Sequence, residues 1–301
     1  MFKIGKLFHL THVVDDIDAA DKWYDEVFSV NRFYHGYEDL AGRTASLIAL
    51  SDVVMEPMTP SREQNLRNPS VQKFHQRFGQ HFHSIAWYVD DVQSISERLD
   101  QNGYRLYNII GKQIKPPHKA TAIWTHPRET PGQLEFALPG DFTPDPRLKP
   151  DWSSAFWRDS HPLGIERLSH MTVIVSDLAK AKKLYCEVLD SKLIHEHENP
   201  RRKSAYVVVS EDSILELAQP LSPSTPEGRD LEKNGEGVFA MTFQTKDLRR
   251  AKEFLKSKRL SPETLDAHTI ALGTNQAFGM TVGFTDQLTP GDPRPTRTRQ
   301  N

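Results

Sequence analysis

The chain has 301 residues, 37% hydrophobic and 26% charged, with a formal net charge of −2. This length suits two domains, and the near-neutral charge gives no basic field for nucleic acid. No apolar run approaches the roughly 18 residues of a membrane span, and the N-terminus shows no signal-peptide pattern. The single cysteine, Cys186, allows no intrachain disulfide. A cytoplasmic protein is therefore expected.

The chain contains an internal duplication. The segment LFHLTHVVDDIDAADKWYDEVF from residue 7 aligns with RLSHMTVIVSDLAKAKKLYCEVL from residue 167. The alignment puts His9 on His170 at an offset of 161, and further along Glu56 falls on Glu216 at an offset of 160. A shift of one residue over almost 50 positions indicates two copies of one unit.

Each copy predicts the same elements. A short strand follows the histidine, and Asp16 or Asp177 then caps a helix that carries an apolar stripe. Three further strands are predicted near 32–37, 43–50 and 52–58 in the first copy, and near 192–197, 203–209 and 212–218 in the later one.

A second type of module follows each copy. After a polar loop over 59–79, the strand SIAWYV leads to a helix near 91–102 and strands near 104–109, 119–125 and 132–137. After residue 236, the strand VFAMTFQ leads to a helix near 247–258 and strands near 268–272 and 279–284. The pattern predicts four βαβββ modules.

The fold class is therefore α+β, with the modules paired into two domains. The N-terminal domain spans 1–138, with modules of about 5–58 and 80–138, and the C-terminal domain spans 166–287, with modules of about 166–219 and 236–286. Residues 139–165 are interpreted as an ordered linker. Residues 288–301 lack an apolar anchor and predict a disordered tail.

These modules resemble those of the vicinal oxygen chelate superfamily, which includes glyoxalase I, methylmalonyl-CoA epimerase, extradiol dioxygenases and bleomycin resistance proteins. The resemblance covers roughly residues 5–285 and rests on HLTHVVDDIDAADKWYDEVF, HSIAWYVDDV, HPRETPGQLEF and HMTVIVSDLAKAKKLYCEVL. It implies that two modules curl into an incomplete barrel. It also implies that the first-strand histidine and last-strand glutamate of each module hold a divalent metal.

Strand alternation places His9 and His170 on the concave face, opposite the helix-packing residues. The glutamates of the apolar last strands need a partner when they are buried, either a metal or an arginine. If the first two modules pair, the resemblance implies a metal set of His9, Glu56, His83 and Glu135. Pairing of the second and third would give His83, Glu135, His170 and Glu216. Either set suits one divalent ion, Fe(II), Mn, Co, Ni or Zn.

His83 departs from the family pattern. The family histidine stands directly before the IA of the strand, where this chain has Ser84, and His83 lies one residue earlier. Strict alternation would turn His83 toward the helices with Ile85 and Trp87, whereas a bulge would turn it into the concave face.

The fourth module lacks the ligand pair. Phe239 or Ala240 stands in place of the histidine, and Val282 lies near the glutamate position. This module is therefore interpreted as structural or as the apolar wall of a pocket.

The sequence also suggests surface, packing or substrate-pocket positions for several other side chains. Arg43 and Lys203 are interpreted as solvated surface residues, and His12 and His81 as packing or surface residues. Candidates for a substrate pocket are Tyr88, Trp124 and His126, with Phe243 and Phe278 on nearby strands.

The resemblance implies an enzyme acting on an oxygenated small molecule. Its chemistry would be isomerisation, epimerisation or elimination through a metal-stabilised enediolate, with Glu56 or Glu135 moving the proton. The alternatives are a ring-cleaving extradiol-type dioxygenase with Fe(II) and a non-catalytic drug-binding protein. The expected partner is a small-molecule substrate rather than nucleic acid or a membrane. A homodimer is compatible with the swapped interfaces of the family.

Overall fold

The computed structural model describes residues 1–140 and 144–295, and each half of the chain forms an open sheet flanked by helices. The first sheet has the strand order β2-β3-β4-β1-β5-β9-β8-β6-β7. Its strands are β1 (Ile4–Val13), β2 (Asn31–Glu38), β3 (Arg43–Leu50), β4 (Val53–Pro60), β5 (His81–Val89), β6 (Leu106–Tyr107), β7 (Gln113–Ile114), β8 (Ala122–Thr125) and β9 (Leu134–Ala137).

The second sheet repeats this plan with the order β11-β12-β13-β10-β14-β17-β16-β15. Its strands are β10 (Ile165–Ile174), β11 (Lys192–Glu198), β12 (Arg202–Val208), β13 (Ile214–Pro220), β14 (Gly237–Thr245), β15 (Glu263–Asp266), β16 (Thr269–Leu272) and β17 (Thr281–Thr285).

Within the described residues, four of the six α-helices start at a capping aspartate. Asp16, Asp91, Asp177 and Asp247 each accept a hydrogen bond from an amide of the first helical turn, which satisfies a donor that the helix leaves free. The helices are α1 (Ile17–Phe28), α2 (Ser70–Phe78), α3 (Val92–Gln101), α4 (Leu178–Lys182, continued by a π-helical turn over Lys183–Val188), α5 (Pro226–Asn234) and α6 (Leu248–Ser257).

The modules pair in sequence order. Strand β1 runs antiparallel to β5 and parallel to β4, and β10 makes the same contacts with β14 and β13. Modules one and two therefore share one sheet, and modules three and four share the other. The α+β fold class predicted from the duplication is confirmed.

Some predicted loops carry structure. Helix α2 lies within the stretch 59–79 that was expected to be a polar loop, and α5 forms the corresponding element of the second half. The expectation of a disordered tail is wrong for residues 288–295, since Thr289 is buried and Arg294 is hydrogen-bonded to the second sheet. Residues 296–301, and positions 141–143 of the predicted linker, lie outside the described residues.

Each half of the molecule has an arginine that donates to three backbone carbonyls, and we call this arrangement an arginine clamp. The segment Asp145–Arg147 packs on the first sheet, where the Arg147 guanidinium donates to the carbonyls of Leu7, Phe8 and Asp52. In the second half Arg294 donates to the carbonyls of Leu168, Ser169 and Asp212. Both clamps are Asp-Pro-Arg sequences, Asp145–Arg147 and Asp292–Arg294, so the duplication extends beyond the predicted modules.

The two halves also exchange hydrogen bonds. The amide of Leu7 donates to Asp212 Oδ1 at 2.9 Å, and the amide of Leu168 donates to Asp52 Oδ1 at 2.8 Å. Phe28 packs against Phe243 and Phe284 of the other half, within one apolar core that draws on both sheets. Within the described residues, no helix has the length and apolar character needed to span a membrane.

Candidate active site

His9 is the centre of the polar cluster in the first half. Its Nε2 lies 3.3 Å from Glu56 Oε2 and 3.3 Å from Glu135 Oε2. Sheet register explains the convergence, because β1 has β4 on one side, with Thr11 opposite Glu56, and β5 on the other, with His9 opposite Ala86. Glu135 of β9 is in turn opposite Ala86. The three side chains are buried, between 3% and 5% exposed.

Glu56 is held at both carboxylate oxygens. Arg43 Nη2 donates to Oε1 at 2.8 Å, and the Thr11 hydroxyl donates to Oε2 at 2.9 Å. Arg43 also donates to Glu38 at 2.7 Å. The interpretation of Arg43 as a solvated surface residue was therefore wrong: it supplies the counter-charge of Glu56.

Glu135 is held more loosely. Its Oε2 accepts a hydrogen bond of 2.9 Å from the indole of Trp124. Beside it, Tyr88 stacks on Phe8 at a centroid distance of 4.4 Å, and these rings pack with Trp124 around Ala86. The structure thus places two predicted pocket residues, Tyr88 and Trp124, next to the carboxylate.

His83 points into the concave face. A bulge separates the Leu10–Ile85 and His12–Phe82 register pairs, so His83 does not lie beneath the helices with Ile85. Its ring stands edge-on to Phe74 of α2 at 4.7 Å.

The hydroxyl groups of Ser84 and Thr11 connect His83 to Glu56 by hydrogen bonds. Nδ1 of His83 is 3.0 Å from Ser84 Oγ, which donates to Thr11 Oγ1 at 2.9 Å. Burial, with the charges of Arg43 and His9, lowers the pKa of His83 to about 3. His83 is therefore a neutral imidazole held beside Ser84 at the edge of the cluster, and its role as a metal ligand stays a prediction.

The electrostatics of His9 are unusual for a buried histidine. Burial alone would lower its pKa, but the charges of Glu56 and Glu135 outweigh burial and raise it. Among the described residues, neither ring nitrogen of His9 has a hydrogen-bond partner of acceptable geometry. A buried polar atom without a partner usually marks a function or an absent ligand.

The donor set fits a divalent ion at three positions. Two ligand atoms bonded to one ion at about 2.1 Å stand about 3.0–3.4 Å apart, which matches the separations of 3.3 Å around His9 Nε2. Within residues 1–140 and 144–295, no group of three or more His, Cys, Asp or Glu side chains has its donor atoms at metal-binding positions as it stands. Binding would therefore require small movements of Glu56 and Glu135 onto the ion.

The second half keeps only part of this arrangement. His170 Nε2 is 3.9 Å from Glu216 Oε2, and Glu216 accepts from Thr172, Ser204 and Arg202 at 2.7–2.9 Å. The arginine that corresponds to Arg43 is Arg202, not Lys203, since Arg43 pairs with Pro60 and Arg202 with Pro220.

Gly283 occupies the position that corresponds to Glu135. It lies opposite Thr242, which in turn pairs with His170 as Ala86 pairs with His9. The sequence had placed Val282 near that position, and the register corrects this by one residue. His170 and Glu216 belong to this second sheet, so the structure does not bring them together with His83 and Glu135 as the alternative metal set required.

His126 occupies the turn after β8, against the ring of Tyr107, and its assignment to the substrate pocket stays a prediction. Phe243 belongs to the apolar core. His12 is buried between the Tyr24 hydroxyl and the Phe278 carbonyl, which fits the predicted packing role.

Sequence reasoning missed the hydroxyl and arginine partners of the glutamates. A repeated signal was present: threonine follows each histidine by two residues, in His9-Leu10-Thr11 and His170-Met171-Thr172. An arginine likewise begins the third strand of each copy, at Arg43 and Arg202. Comparing the copies would have found the threonines, which keep the same spacing from the histidines, whereas the offset of 160 aligns Arg43 with Lys203 and not with Arg202.

Family models for the Glyoxalase/Bleomycin resistance protein/Dioxygenase superfamily match residues 8–123 and 167–286. The chain therefore belongs to this superfamily, and the resemblance to vicinal oxygen chelate proteins is confirmed. A search of curated proteins finds no match.

Two solved structures share the fold over most of the chain. A triply substituted 4-hydroxymandelate synthase from Streptomyces coelicolor has a TM-score of 0.64 at 12% identity, covering 95% of this chain and 94% of its own. A halotolerant catechol dioxygenase has a TM-score of 0.57 at 12% identity, covering 94% and 87%. Methylmalonyl-CoA epimerase from Mycobacterium tuberculosis covers 42% of this chain and 90% of its own, at 21% identity and a TM-score of 0.39.

Proposed function

We propose that the N-terminal half is the catalytic domain of a divalent-metal-dependent enzyme that moves a proton on an oxygenated small molecule. The observation that supports this most is the position of His9 Nε2, buried and 3.3 Å from one oxygen of each of two carboxylates. The reaction class is isomerisation, epimerisation or elimination at a carbon next to a carbonyl group.

His9, Glu56 and Glu135 would hold the ion. When bound, a divalent ion supplies Lewis acidity that stabilises negative charge on a substrate oxygen. The protein's own contribution is a buried site whose apolar wall of Phe8 and Tyr88 restricts water.

The two glutamates have different roles in this proposal. Glu56 is held by Arg43 and Thr11 at both oxygens, so it serves as a ligand rather than as a base. Glu135 has its one described hydrogen bond from Trp124, so it is held by fewer contacts than Glu56. We therefore assign proton transfer to Glu135, with Trp124 as its positioning residue.

The geometry favours proton transfer over ring cleavage. Non-haem Fe(II) oxygenases use two histidines and one carboxylate, whereas the cluster here has one histidine between two carboxylates. The second histidine would have to be His83, which instead contacts Ser84 and Phe74.

An exchange experiment tests the reaction class. The Mn²⁺-loaded protein is incubated with dihydroxyacetone in D₂O, and loss of the carbon-bound protons is followed by NMR. We expect exchange to slow by about 10²–10⁴-fold in Glu135→Gln. The control is Glu129→Gln, in the turn after β8, where the glutamate pairs with Arg105.

Unchanged exchange in Glu135→Gln would remove Glu135 as the base. Oxygen uptake by the Fe(II)-loaded protein with catechol, absent from a His83→Ala variant, would favour the dioxygenase instead.

A further inference from the structure

A cavity of about 960 Å³ opens on the concave face of the second sheet. It is bounded by α5 and, from the other half of the molecule, by Gln80 and His81. Its volume falls in the range of about 300–1,000 Å³ found for small-molecule pockets. We propose that this cavity is a second binding site, independent of metal, for an uncharged organic molecule carrying hydroxyl or carbonyl oxygens.

The side chains at the base of the cavity do not suit a metal ion. Gly283 and Ala240 occupy the positions that correspond to Glu135 and Ser84 of the first half. Glu216 accepts hydrogen bonds from Arg202 and Ser204 at Oε1 and from Thr172 at Oε2, much as Glu56 is held in the first half. The second half thus keeps one histidine and one glutamate, but it lacks the second carboxylate that Glu135 supplies beside His9.

The charges around the cavity are balanced. At its base, Arg202 pairs with Glu216 and Glu227, and Arg201 pairs with Glu227. At the rim, Asp230 pairs with His81 at 3.3 Å. The other charged lining residues are two cationic and two acidic side chains, Arg229, Lys233, Glu263 and Asp266. Since neither sign is in excess, the cavity offers no preference for an ionic ligand.

The remaining lining combines hydroxyl groups with apolar surface. An ideal Cβ at Gly283 would stand 2.7 Å from Thr242 Oγ1. Because glycine has no Cβ, no side chain from position 283 covers the threonine hydroxyl. His170 is opposite Thr242 on the neighbouring strand, and burial lowers its pKa. A neutral imidazole and a hydroxyl thus stand side by side as donors and acceptors.

The apolar part comes from Tyr206, Phe239 and Ala240. Tyr206 stands edge-on to the His170 ring at 5.6 Å, so an aromatic face adjoins the polar pair. An apolar wall beside convergent polar groups is a feature of sites for small organic molecules.

Calorimetric titration of the EDTA-treated full-length protein with resorcinol tests the proposal. Resorcinol is uncharged at neutral pH, and its hydroxyl groups are not adjacent, so it is a poor chelator. We expect saturable binding to one site, weakened about tenfold or more by Thr242→Val, which removes the hydroxyl at nearly constant shape. Ala240→Leu, which narrows the cavity without touching the polar pair, should also weaken binding.

Thr11→Val is the matched control, because it removes a buried hydroxyl from the other half and should leave resorcinol binding unchanged. The charged counterpart 3-hydroxybenzoate should bind more weakly than resorcinol. Absence of resorcinol binding, tighter binding of 3-hydroxybenzoate, or loss of binding in Thr11→Val but not in Thr242→Val would overturn the proposal. The Thr242→Val protein should retain as much metal as the wild type, so that its loss of resorcinol binding is distinguished from a loss of the proposed metal site.

Discussion

Glu56 and Glu216, the glutamates of the first and third modules, are each neutralised by an arginine that begins the third strand of the same module. Arg43 holds Glu56 at 2.8 Å, and Arg202 holds Glu216 at 2.8 Å. A buried carboxylate is stable only with such compensation. The sequence predicted that these glutamates need a partner. It could not assign the arginine, since residue order does not show which of several nearby cations reaches across two strands.

Removal of Arg43 should destabilise the protein. Arg43→Met leaves Glu56 buried with only the Thr11 hydroxyl and His9 nearby, and breaking such a pair costs about 3 kcal/mol or more. Urea unfolding should show this loss, whereas Arg105→Met, which breaks the more exposed pair with Glu129, should cost less than about 1 kcal/mol. Equal effects of the two substitutions would show that Arg43 does not stabilise Glu56.

Glu216 should make the protein sensitive to acid. Burial alone would raise the pKa of Glu216, but Arg202, His170 and two hydroxyl groups lower it to about 2. A depressed folded-state pKa contributes stability above the unfolded value of about 4.3 and loses it as the pH falls toward 2. Above the unfolded-state pKa, Glu216 therefore contributes about 3 kcal/mol to the free energy of unfolding.

Denaturation measured between pH 6 and pH 3 should therefore show a flatter acid limb for Glu216→Gln than for the wild type. The exposed Glu211→Gln should keep the wild-type slope. The explanation would be wrong if Glu216→Gln and Glu211→Gln gave the same slope.

Among the elements, the bulge in β5 decides the role of His83. It shifts the register between the Leu10–Ile85 and His12–Phe82 pairs and so places both His83 and Ser84 on the concave side. Sequence alternation fixes a face only in a regular strand. A bulge inserts one residue without a composition signal here, which is why both orientations of His83 remained open from the sequence.

Strands β14 and β17 approach closely at Gly283. An added Cβ would stand 2.7 Å from Thr242 Oγ1, closer than van der Waals contact permits, so Gly283→Ala should destabilise by about 1–3 kcal/mol. Thr242→Ala should relieve part of that cost in the double variant. Gly237→Ala, also in β14, is the control, since nothing lies within 4 Å of its added Cβ. Equal stability of Gly283→Ala and Gly237→Ala would contradict the close approach.

At the scale of the molecule, the two halves pack against each other. The apolar core draws on both sheets, and Asp52 and Asp212 exchange hydrogen bonds with backbone amides of the opposite half. The duplication and the module order were readable from sequence because hydrophobic periodicity survives divergence. The clamps and the cavity were not, since they depend on contacts between distant segments.

Calorimetry should therefore show a single thermal transition, with calorimetric and van't Hoff enthalpies equal. Phe28→Ala, which removes the ring packed against Phe243 and Phe284, should cost about 3–5 kcal/mol and keep one transition. Two resolved transitions in the wild type would show that the halves unfold independently.

The metal content of the purified protein tests the central claim most directly. After loading with Mn²⁺ and desalting, the wild type and His170→Ala should each retain about one equivalent, and His9→Ala less than about a tenth, because His9 is the histidine that lies between the oxygens of two carboxylates. Retention of the metal by His9→Ala, or its loss in His170→Ala alone, would contradict the assignment of the N-terminal half as the metal-dependent catalytic domain.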